Sequence, residues 1–321
     1  MVEEATLYLE KSFLSPLLKR EDITDISYNG GLLFYSSNSL GRKRSDIRVD
    51  SETVLFFLRQ IANLTEKSIN LANPILDVSF GRYRLNGVNS SVGRYKEMKV
   101  PTFSLRIASR TCKIEKDAQF MDEKAKSILM NALKRKASIV IGGKTGTGKT
   151  ELQKWLLLHL EDNTRVIVLD NVEELDLIQN ERIDMTTWLS GEGNGRLPLK
   201  VLIRNALRHN PDYLLVAEAR GEEMLDALSS AGSGHPLITT IHADSLDTMP
   251  ERLARMALMA EENMTLKELL EEVKNHIQVF VYLEKALDAE GRIVRFIRSI
   301  GMMDKSSGKI EKAFERRKDF L

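Results

Sequence analysis

The chain has 321 residues, a length that predicts about two domains. Its 47 Lys and Arg and 46 Asp and Glu leave a formal net charge of +1, which excludes a uniformly basic nucleic-acid-binding protein and an acidic tail. The one cysteine, Cys112, excludes a disulfide framework and a zinc site made of several cysteines. The N-terminal segment is acidic, and the longest stretch without Asp, Glu, Lys or Arg, 227–243, holds several polar residues. We therefore expect a cytoplasmic protein with no signal peptide and no transmembrane helix.

The first part of the chain, 1–110, is predicted to be a small α+β domain. Its β-branched and aromatic runs are interrupted by Asn29-Gly30-Gly31, a turn signal that is typical of β-hairpins. Apolar residues spaced three and four apart predict one helix, which Asn73-Pro74 ends. The helix that we predict spans 51–71, and the strands lie within 23–50, 75–90 and 100–108. The charged segment 112–124 is typical of a linker or of the start of a helix, and we predict a linker over 111–124.

From residue 125 onward, predicted strands and helices alternate, which indicates an α/β domain with a mainly parallel sheet. We predict this domain over 125–321. The predicted strands lie at 138–143, 165–170, 213–219 and 237–243, and the predicted helices at 122–135, 149–161, 199–208, 222–231 and 247–276. A closing antiparallel hairpin is expected from 277–285 and 292–303, and the last residues, 304–321, are expected to be peripheral.

The segment Gly143–Thr150, GKTGTGKT, matches the phosphate-binding consensus G-x-x-x-x-G-K-[ST]. Glycines at 146 and 148 let the backbone wrap an anion with its N–H groups pointing inward, and the following helix presents its positive end. Lys149 adds a mobile cation for the outer phosphates, and the Thr150 hydroxyl suits Mg²⁺. The candidate nucleotide-binding residues are Gly143, Lys144, Thr145, Gly146, Thr147, Gly148, Lys149 and Thr150. A dinucleotide-binding loop is excluded, because the third glycine of that motif would be Glu151.

Charged residues follow two apolar strands: Asp170, Glu173 and Glu174 after the first, and Glu218 and Arg220 after the second. Ligands collect outside the carboxyl ends of parallel strands, so both groups can lie beside the phosphate loop. Phosphoryl transfer to water needs one acid for the Mg²⁺ shell and one that orients the water. Glu218 and Asp170 are the candidates, with solvated strand-end acids as the alternative. For Glu174 and Asp176 that alternative is the better interpretation.

His235 and His242 lie seven residues apart in the segment GHPLITTIHAD. No third ligand lies at a usable spacing, so a metal site is not expected. From spacing alone, they are interpreted as two hydrogen-bonded histidines at strand ends. Arg84 and Arg106, taken by themselves, are interpreted as ordinary solvated arginines.

Four segments occur in a fixed order: GGKTGTGKT, VLDNVEE, LIRNALRHNPDYLLVAEARG and GSGHPLITTIHADS. They follow ITDISYNG, NPILDVSFGRYRLNGV and PTFSLRIAS in the first domain. Over roughly residues 20–300, this sequence resembles the type II/type IV secretion ATPase superfamily. The nearest likeness is to the type IV secretion (conjugation) and Flp-pilus-assembly ATPases.

The resemblance implies a RecA-like P-loop ATPase core with a smaller α+β amino-terminal domain, assembled as a hexameric ring. It also implies ATP and Mg²⁺ bound between the two domains, near a subunit boundary. The catalytic residues that it implies are Glu218, Asp170, Lys149, Arg84, Arg106 and His242, with His235 as a further nucleotide-binding residue and Thr150 and Glu218 as magnesium ligands. Within that set, the two histidines match a box that is thought to sense the γ-phosphate. The two arginines match amino-domain arginines that approach the phosphates.

Two positions depart from the family's pattern. Asp170-Asn171 stands where Glu-Asp is common, and the Asp side chain is one methylene shorter, which puts the position of the attacking water or the rate in doubt. Ala217 precedes Glu218 where Gly is common. No tetracysteine insertion is present, which argues against the type II secretion branch that carries a zinc subdomain.

These observations predict an ATP-hydrolysing ring motor that energises secretion, conjugative transfer or pilus assembly. The expected partners are other copies of the chain and inner-membrane secretion or pilus platform proteins, at the inner face of the cytoplasmic membrane. One alternative is a nucleotide-gated structural ring with little turnover, which the Asp170 departure motivates. Another is a nucleic-acid translocase, but the net charge gives it no support, and no stable nucleic-acid binding is predicted.

Overall fold

The computed structural model describes residues 2–115, 117–171, 174–178, 180–191, 197–260 and 263–316. The chain divides into two compact units. Met1–Arg110 and Asp288–Ile293 form the first unit, and Thr111–Leu287 and Val294–Leu321 form the second. The segment predicted as a linker, 111–124, thus groups with the second unit. Glu173 lies outside the described residues.

The first unit is built on an antiparallel sheet. In chain order its elements are α1 (Val2–Glu10), α2 (Ser15–Leu18), β1 (Ile23–Tyr28), β2 (Leu33–Ser37), β3 (Gly41–Arg44), α3 (Ser51–Leu64), β4 (Ile75–Phe80), β5 (Tyr83–Val88), β6 (Arg94–Tyr95), β7 (Met98–Lys99) and β8 (Thr102–Ile107). The main sheet has the order β3-β2-β1-β8-β5-β4, and β6 and β7 form a separate two-stranded ribbon. Every pairing in the main sheet is antiparallel.

Helix α3 covers one face of this sheet with Val54, Phe57, Leu58 and Ile61, which are buried. It begins where the Asp50 carboxylate accepts a hydrogen bond from the Thr53 amide at 2.8 Å. The helix ends at Leu64, seven residues before the predicted end at 71. The reason is local, since the Thr65 hydroxyl binds the Ile61 carbonyl at 2.8 Å and Glu66 adopts a left-handed φ of 54°. Helices α1 and α2 were not predicted from the sequence.

The second unit is built on a mainly parallel sheet. In chain order its elements are α4 (Glu123–Lys134), β9 (Ile139–Gly143), α5 (Lys149–Leu158), β10 (Arg165–Asp170), β11 (Asp184–Leu189), α6 (Leu199–Ala206), β12 (Tyr213–Val216), α7 (Glu223–Gly232), β13 (Leu237–Ile241), α8 (Met249–Ala257), α9 (Leu266–His276), β14 (Val279–Leu287), β15 (Ile293–Asp304) and β16 (Lys309–Glu315). The strand order is β11-β10-β12-β13-β9-β14-β15-β16. The first six strands in this spatial order, from β11 through β9 to β14, are parallel to their neighbours. Strand β16 pairs antiparallel with β15.

Strand β9 lies in the middle of the sheet with both faces covered. Ile139 and Ile141 belong to one hydrophobic core, whereas Val140 belongs to the core on the other face. This burial on both sides explains why the strand is a continuous apolar run and not an alternating one. The predicted α/β class with a parallel sheet and a smaller α+β domain is confirmed.

Several predicted element bounds were wrong. The helix predicted over 247–276 is two helices, and α9 starts at a capping box in which Thr265 and Glu268 satisfy each other's backbone amides. Strand β11 was missed, and β16 lies inside the tail that was expected to be peripheral. The strands predicted to end at 219 and 243 end at Val216 and Ile241, so the charged residues beyond them lie in loops. No helix among the described residues is long and apolar enough to cross a membrane.

Candidate active site

The phosphate loop, Gly143–Thr150, connects the end of β9 to the start of α5. Gly146 and Gly148 adopt left-handed φ values of 77° and 97°, a region that costs other residues roughly 1–2 kcal/mol. A Cβ at Gly148 would lie 2.9 Å from a ring carbon of Phe120, so the position excludes a side chain for steric reasons as well. The sequence therefore builds a tight loop at the positive end of a ten-residue helix.

Lys149 lies inside this loop. Its Nζ donates to the Gly143 carbonyl at 3.0 Å and to the Lys144 carbonyl at 3.3 Å. Burial lowers the pKa of Lys149, and the nearby charge of Glu218 opposes that shift. A bound anion would therefore relieve the cost of burying this cation. The Thr147 hydroxyl, which is buried, also donates to the Lys144 carbonyl, at 2.9 Å.

The backbone before Glu218 is held by hydrogen bonds from helix α5 and from strand β13. The buried Gln153 side chain of α5 donates to the Val216 carbonyl at 3.1 Å. This bond connects the helix that follows the phosphate loop to the end of β12. The Thr240 hydroxyl of β13 donates to the Ala217 carbonyl at 2.8 Å. The Glu218 side chain is 17% exposed, so its carboxylate lies in a sheltered position at the carboxyl end of the sheet.

The Glu218 carboxylate lies between two other side chains. Oε2 accepts a hydrogen bond from Arg220 Nη2 at 2.6 Å, and Oε1 lies 2.8 Å from His242 Nε2. The bond to Glu218 raises the pKa of Arg220, so this guanidinium stays charged. The charges of Glu218 and Arg220 both act on Lys149. Lys149, Glu218, Arg220 and His242 therefore form one electrostatically connected group.

Sequence reasoning noted Arg220 but gave it no role. Its position two residues after Glu218 was the available signal, because side chains two apart in extended backbone share a side. The loop is fixed further by Glu223, whose carboxylate accepts hydrogen bonds from the amides of Arg220 and Gly221 at 2.6 and 3.1 Å.

The residues present fit a nucleoside triphosphate with Mg²⁺. The left-handed glycines leave a cradle that Cβ atoms would fill, and Lys149 supplies a partly buried cation. The Thr150 hydroxyl in the first turn of α5 and the Glu218 carboxylate are oxygen ligands of the type that Mg²⁺ prefers. A cleft of about 540 Å³ opens beside the loop at Lys144, Thr145 and His242, a size in the range of small-molecule sites.

A model of the type II/IV secretion system protein family matches residues 87–295, about two thirds of the chain. The chain belongs to this family. VirB11, a type IV secretion system protein of Bartonella quintana, is 30% identical over 219 residues, which are 68% of this chain and 55% of that protein. A candidate conjugal transfer protein of Mycobacterium tuberculosis is 25% identical over 310 residues, 93% of this chain and 86% of its own.

The X-ray structure of the ATPase DotB from Legionella pneumophila shares the fold, with a TM-score of 0.66 at 17% identity over 96% of this chain and 80% of that one. The predicted membership of the type II/type IV secretion ATPase superfamily is thus confirmed. The chain spans 55–65% of the length of two curated relatives that it matches, VirB11 among them.

In this family member, the Asp170 carboxylate is buried and bonded to backbone amides. It is fully buried, and its Oδ2 accepts hydrogen bonds from the amides of Glu174 and Leu175 at 2.9 and 3.0 Å. This carboxylate therefore holds the backbone at Glu174 and Leu175. A role in orienting water stays a prediction.

The structure places His235 away from the phosphate loop of its own chain, and its contact with a nucleotide stays a prediction. Strands β9 and β13 are parallel, with Ile241 opposite Gly142, so His242 lies level with the start of the phosphate loop. His235 precedes the other end of β13, roughly 20 Å away along the strand. Its Nδ1 contacts the Ser233 hydroxyl at 3.2 Å. His235 therefore does not belong to the phosphate site of its own chain.

Arg84 and Arg106 lie side by side in the first unit, directly opposite one another on β5 and β8. Each is paired with an aspartate: Arg84 Nη2 with Asp77 at 3.4 Å, and Arg106 Nε with Asp25 at 3.3 Å. Their side chains are 44% and 58% exposed. The arginine pair, Arg84 and Arg106, is thus one cationic feature whose contact with a nucleotide stays a prediction.

Proposed function

We propose that this chain is the ATP-hydrolysing subunit of a ring motor that energises secretion, conjugative transfer or pilus assembly. The observation that carries the proposal is the group at the carboxyl end of the sheet. A phosphate loop with a partly buried Lys149 shares its electrostatic environment with Glu218, which lies 2.8 Å from His242. Membership of a secretion ATPase family supports the biological setting.

The residues act on ATP in distinct ways. Loop amides and Lys149 hold the phosphates, and Thr150 and Glu218 would hold Mg²⁺. When bound, Mg²⁺ would neutralise charge that develops on the phosphoryl oxygens. We assign the orientation of the attacking water to Asp170. His242, which lies 2.8 Å from Glu218, senses whether the outermost phosphate is present. Arg220 holds the Glu218 carboxylate in place through its 2.6 Å bond.

We assign the arginine pair to the phosphates of a bound nucleotide, where its charge would stabilise the transition state as arginine fingers do. Binding would displace Asp77 and Asp25 from their present ion pairs. Release of phosphate after hydrolysis would return the arginines to the aspartates, which gives the cycle two states for each subunit.

We further propose a homohexameric ring at the cytoplasmic face of the membrane, held there by inner-membrane secretion or pilus platform proteins. Support for this setting comes from the type IV secretion name that VirB11 carries. Sedimentation of the full chain with and without ADP tests the ring, since a chain that stays monomeric in both would contradict it.

The central test is phosphate release by the purified chain. Lys149→Ala is expected to lower turnover by about a hundredfold or more, because a charge aimed at the phosphates is lost. Lys312→Met removes a cation from β16 and serves as the matched control, with turnover unchanged. Full activity in Lys149→Ala would contradict the site assignment, and a wild-type chain that neither binds ADP nor releases phosphate would contradict the function.

Asp170 favours a second candidate, a nucleotide-gated structural ring with little turnover. Its carboxylate is committed to the amides of Glu174 and Leu175 at a position where the family commonly has a catalytic Glu. Under this hypothesis, wild-type phosphate release is negligible while ADP binds normally, and Asp170→Glu restores turnover. Brisk wild-type turnover would instead contradict the gated-ring hypothesis.

A further inference from the structure

Strand β14 continues past the strand that carries the phosphate loop. Its residue Leu283 is the register partner of Gly143, the last residue of β9. Beyond that point β9 becomes the loop, whereas β14 continues to Leu287. Lys285 therefore lies beside the loop, and the neighbouring strand β15 brings Arg295 to the same place.

Both of these cations donate to carbonyls of the loop. Lys285 Nζ donates to the Thr145 carbonyl at 3.0 Å, and Arg295 Nε donates to the Gly146 carbonyl at 2.8 Å. Neither residue belongs to the phosphate-binding consensus, and both are more than 130 positions away from the loop in sequence. Two consecutive peptide groups are thus held from outside by charged donors.

The consequence follows from the planarity of the peptide group. In a trans peptide the C=O of one residue and the N–H of the next point in opposite directions, and the described chain contains no cis peptide. A carbonyl of Thr145 turned toward Lys285 therefore turns the Gly146 amide away from it. In the same way, the bond from Arg295 to Gly146 turns away the amide of Thr147.

We propose that Lys285 and Arg295 are positioning residues that hold the Gly146 and Thr147 amides in the orientation that binds phosphate. Charged donors on the carbonyls also polarise the peptide groups and make their N–H ends better donors to an anion. Arg295 is partly buried, which lowers its pKa, but the charge of Glu151 opposes the shift and the guanidinium remains protonated. This inference rests on the proposed function, because it concerns nucleotide binding at the same loop.

The test uses the full chain with two probes, ADP and pyrophosphate, titrated calorimetrically. Pyrophosphate reports on the loop alone, whereas ADP adds the nucleoside. Arg295→Gln is expected to weaken both by about tenfold, as loss of a charge-assisted hydrogen bond does. Lys285→Met, at an exposed position, is expected to weaken both by about threefold. Lys312→Met is the control for loss of a strand cation.

A positioning role also predicts a kinetic split and a rescue. In Arg295→Gln the KM for ATP should rise by about tenfold while kcat changes by less than about twofold, because Lys149 and Glu218 are intact. Arg295→Lys keeps a charged donor and should recover at least about half of the loss in binding free energy.

Each outcome bears on one hypothesis. Wild-type binding of neither probe overturns the proposed function. Wild-type binding with unchanged affinities in Arg295→Gln and Lys285→Met overturns only the positioning role. A fall in kcat without a change in KM, or an ADP-bound structure in which Arg295 leaves Gly146 for the phosphates, also overturns it. If Arg295→Gln does not fold, Lys285→Met decides by the same readouts.

Discussion

The phosphate loop and the arginine pair offer positive charge to an anion in different ways. The loop uses backbone dipoles fixed by left-handed glycines, and one of its two lysines, Lys149, is partly buried. Arg84 and Arg106 are exposed on a sheet face and paired with aspartates. Exposed pairs are screened by water and salt, so they contribute little until water is excluded. The comparison indicates that the loop is ready to bind before its ligand arrives, whereas the charge of the arginines contributes only where water is excluded from them.

The substitution Gly148→Ala tests the preorganisation of the phosphate loop, and we expect it to have the largest effect. The new Cβ would combine a left-handed φ of 97° with a 2.9 Å approach to the Phe120 ring, so the loop must move. We expect ADP affinity to fall by about a hundredfold, since two or more amide bonds to phosphate are lost. Calorimetric titration measures the effect.

Gly234→Ala is the matched control for that substitution. Gly234 has a similar φ of 91°, but nothing lies within 4 Å of its Cβ position. Backbone strain should cost each variant about 1 kcal/mol of unfolding free energy, and Gly148→Ala adds its contact with Phe120. Only Gly148→Ala should lose ADP. Equal ADP affinity in the two variants would show that the tight loop is not needed.

The arginine pair is tested by the double variant Arg84→Gln/Arg106→Gln. Because both arginines are largely solvated, the free energy of unfolding should change by less than about 0.5 kcal/mol. Turnover should nevertheless fall by about tenfold or more if the pair reaches the phosphates. Chemical denaturation and phosphate release give the two numbers. The variant Asp25→Asn removes the ion pair of Arg106 but keeps the arginine, so its turnover should equal that of the wild type.

How far the sequence leads depends on whether a feature is local. The loop could be predicted because consecutive residues, GKTGTGKT, carry its chemistry, and β10 was predicted to the residue because it is a short buried apolar run. Strands β11 and β16 were missed because their residues are half-buried or exposed, with the exception of Phe314, and carry a weak pattern. Arg295 and Lys285 reach the loop through strand register, which no spacing in the sequence reveals.

The two histidines show the same limit. His235 and His242 lie in one short segment of the sequence, yet strand β13 separates them. A resemblance transfers residues by their order in the sequence, and it does not state which end of a strand each one occupies. The parallel register of β13 against β9 supplies that information.

The smallest expected effect distinguishes the two histidines from each other. His242→Ala removes the side chain 2.8 Å from Glu218, and we expect turnover to fall by about tenfold, in the lower range for a group that assists proton transfer or positioning. His235→Ala should change turnover by less than about twofold, because its ring lies beyond the far end of β13 and contacts Ser233. Equal losses in the two variants, measured as phosphate release by the same preparation of the full chain, would mean that His235 acts on a nucleotide bound elsewhere than its own phosphate loop. A neighbouring subunit's loop would then be the place to look, and a mixed ring that combines His235→Ala subunits with Lys149→Ala subunits would separate the two locations.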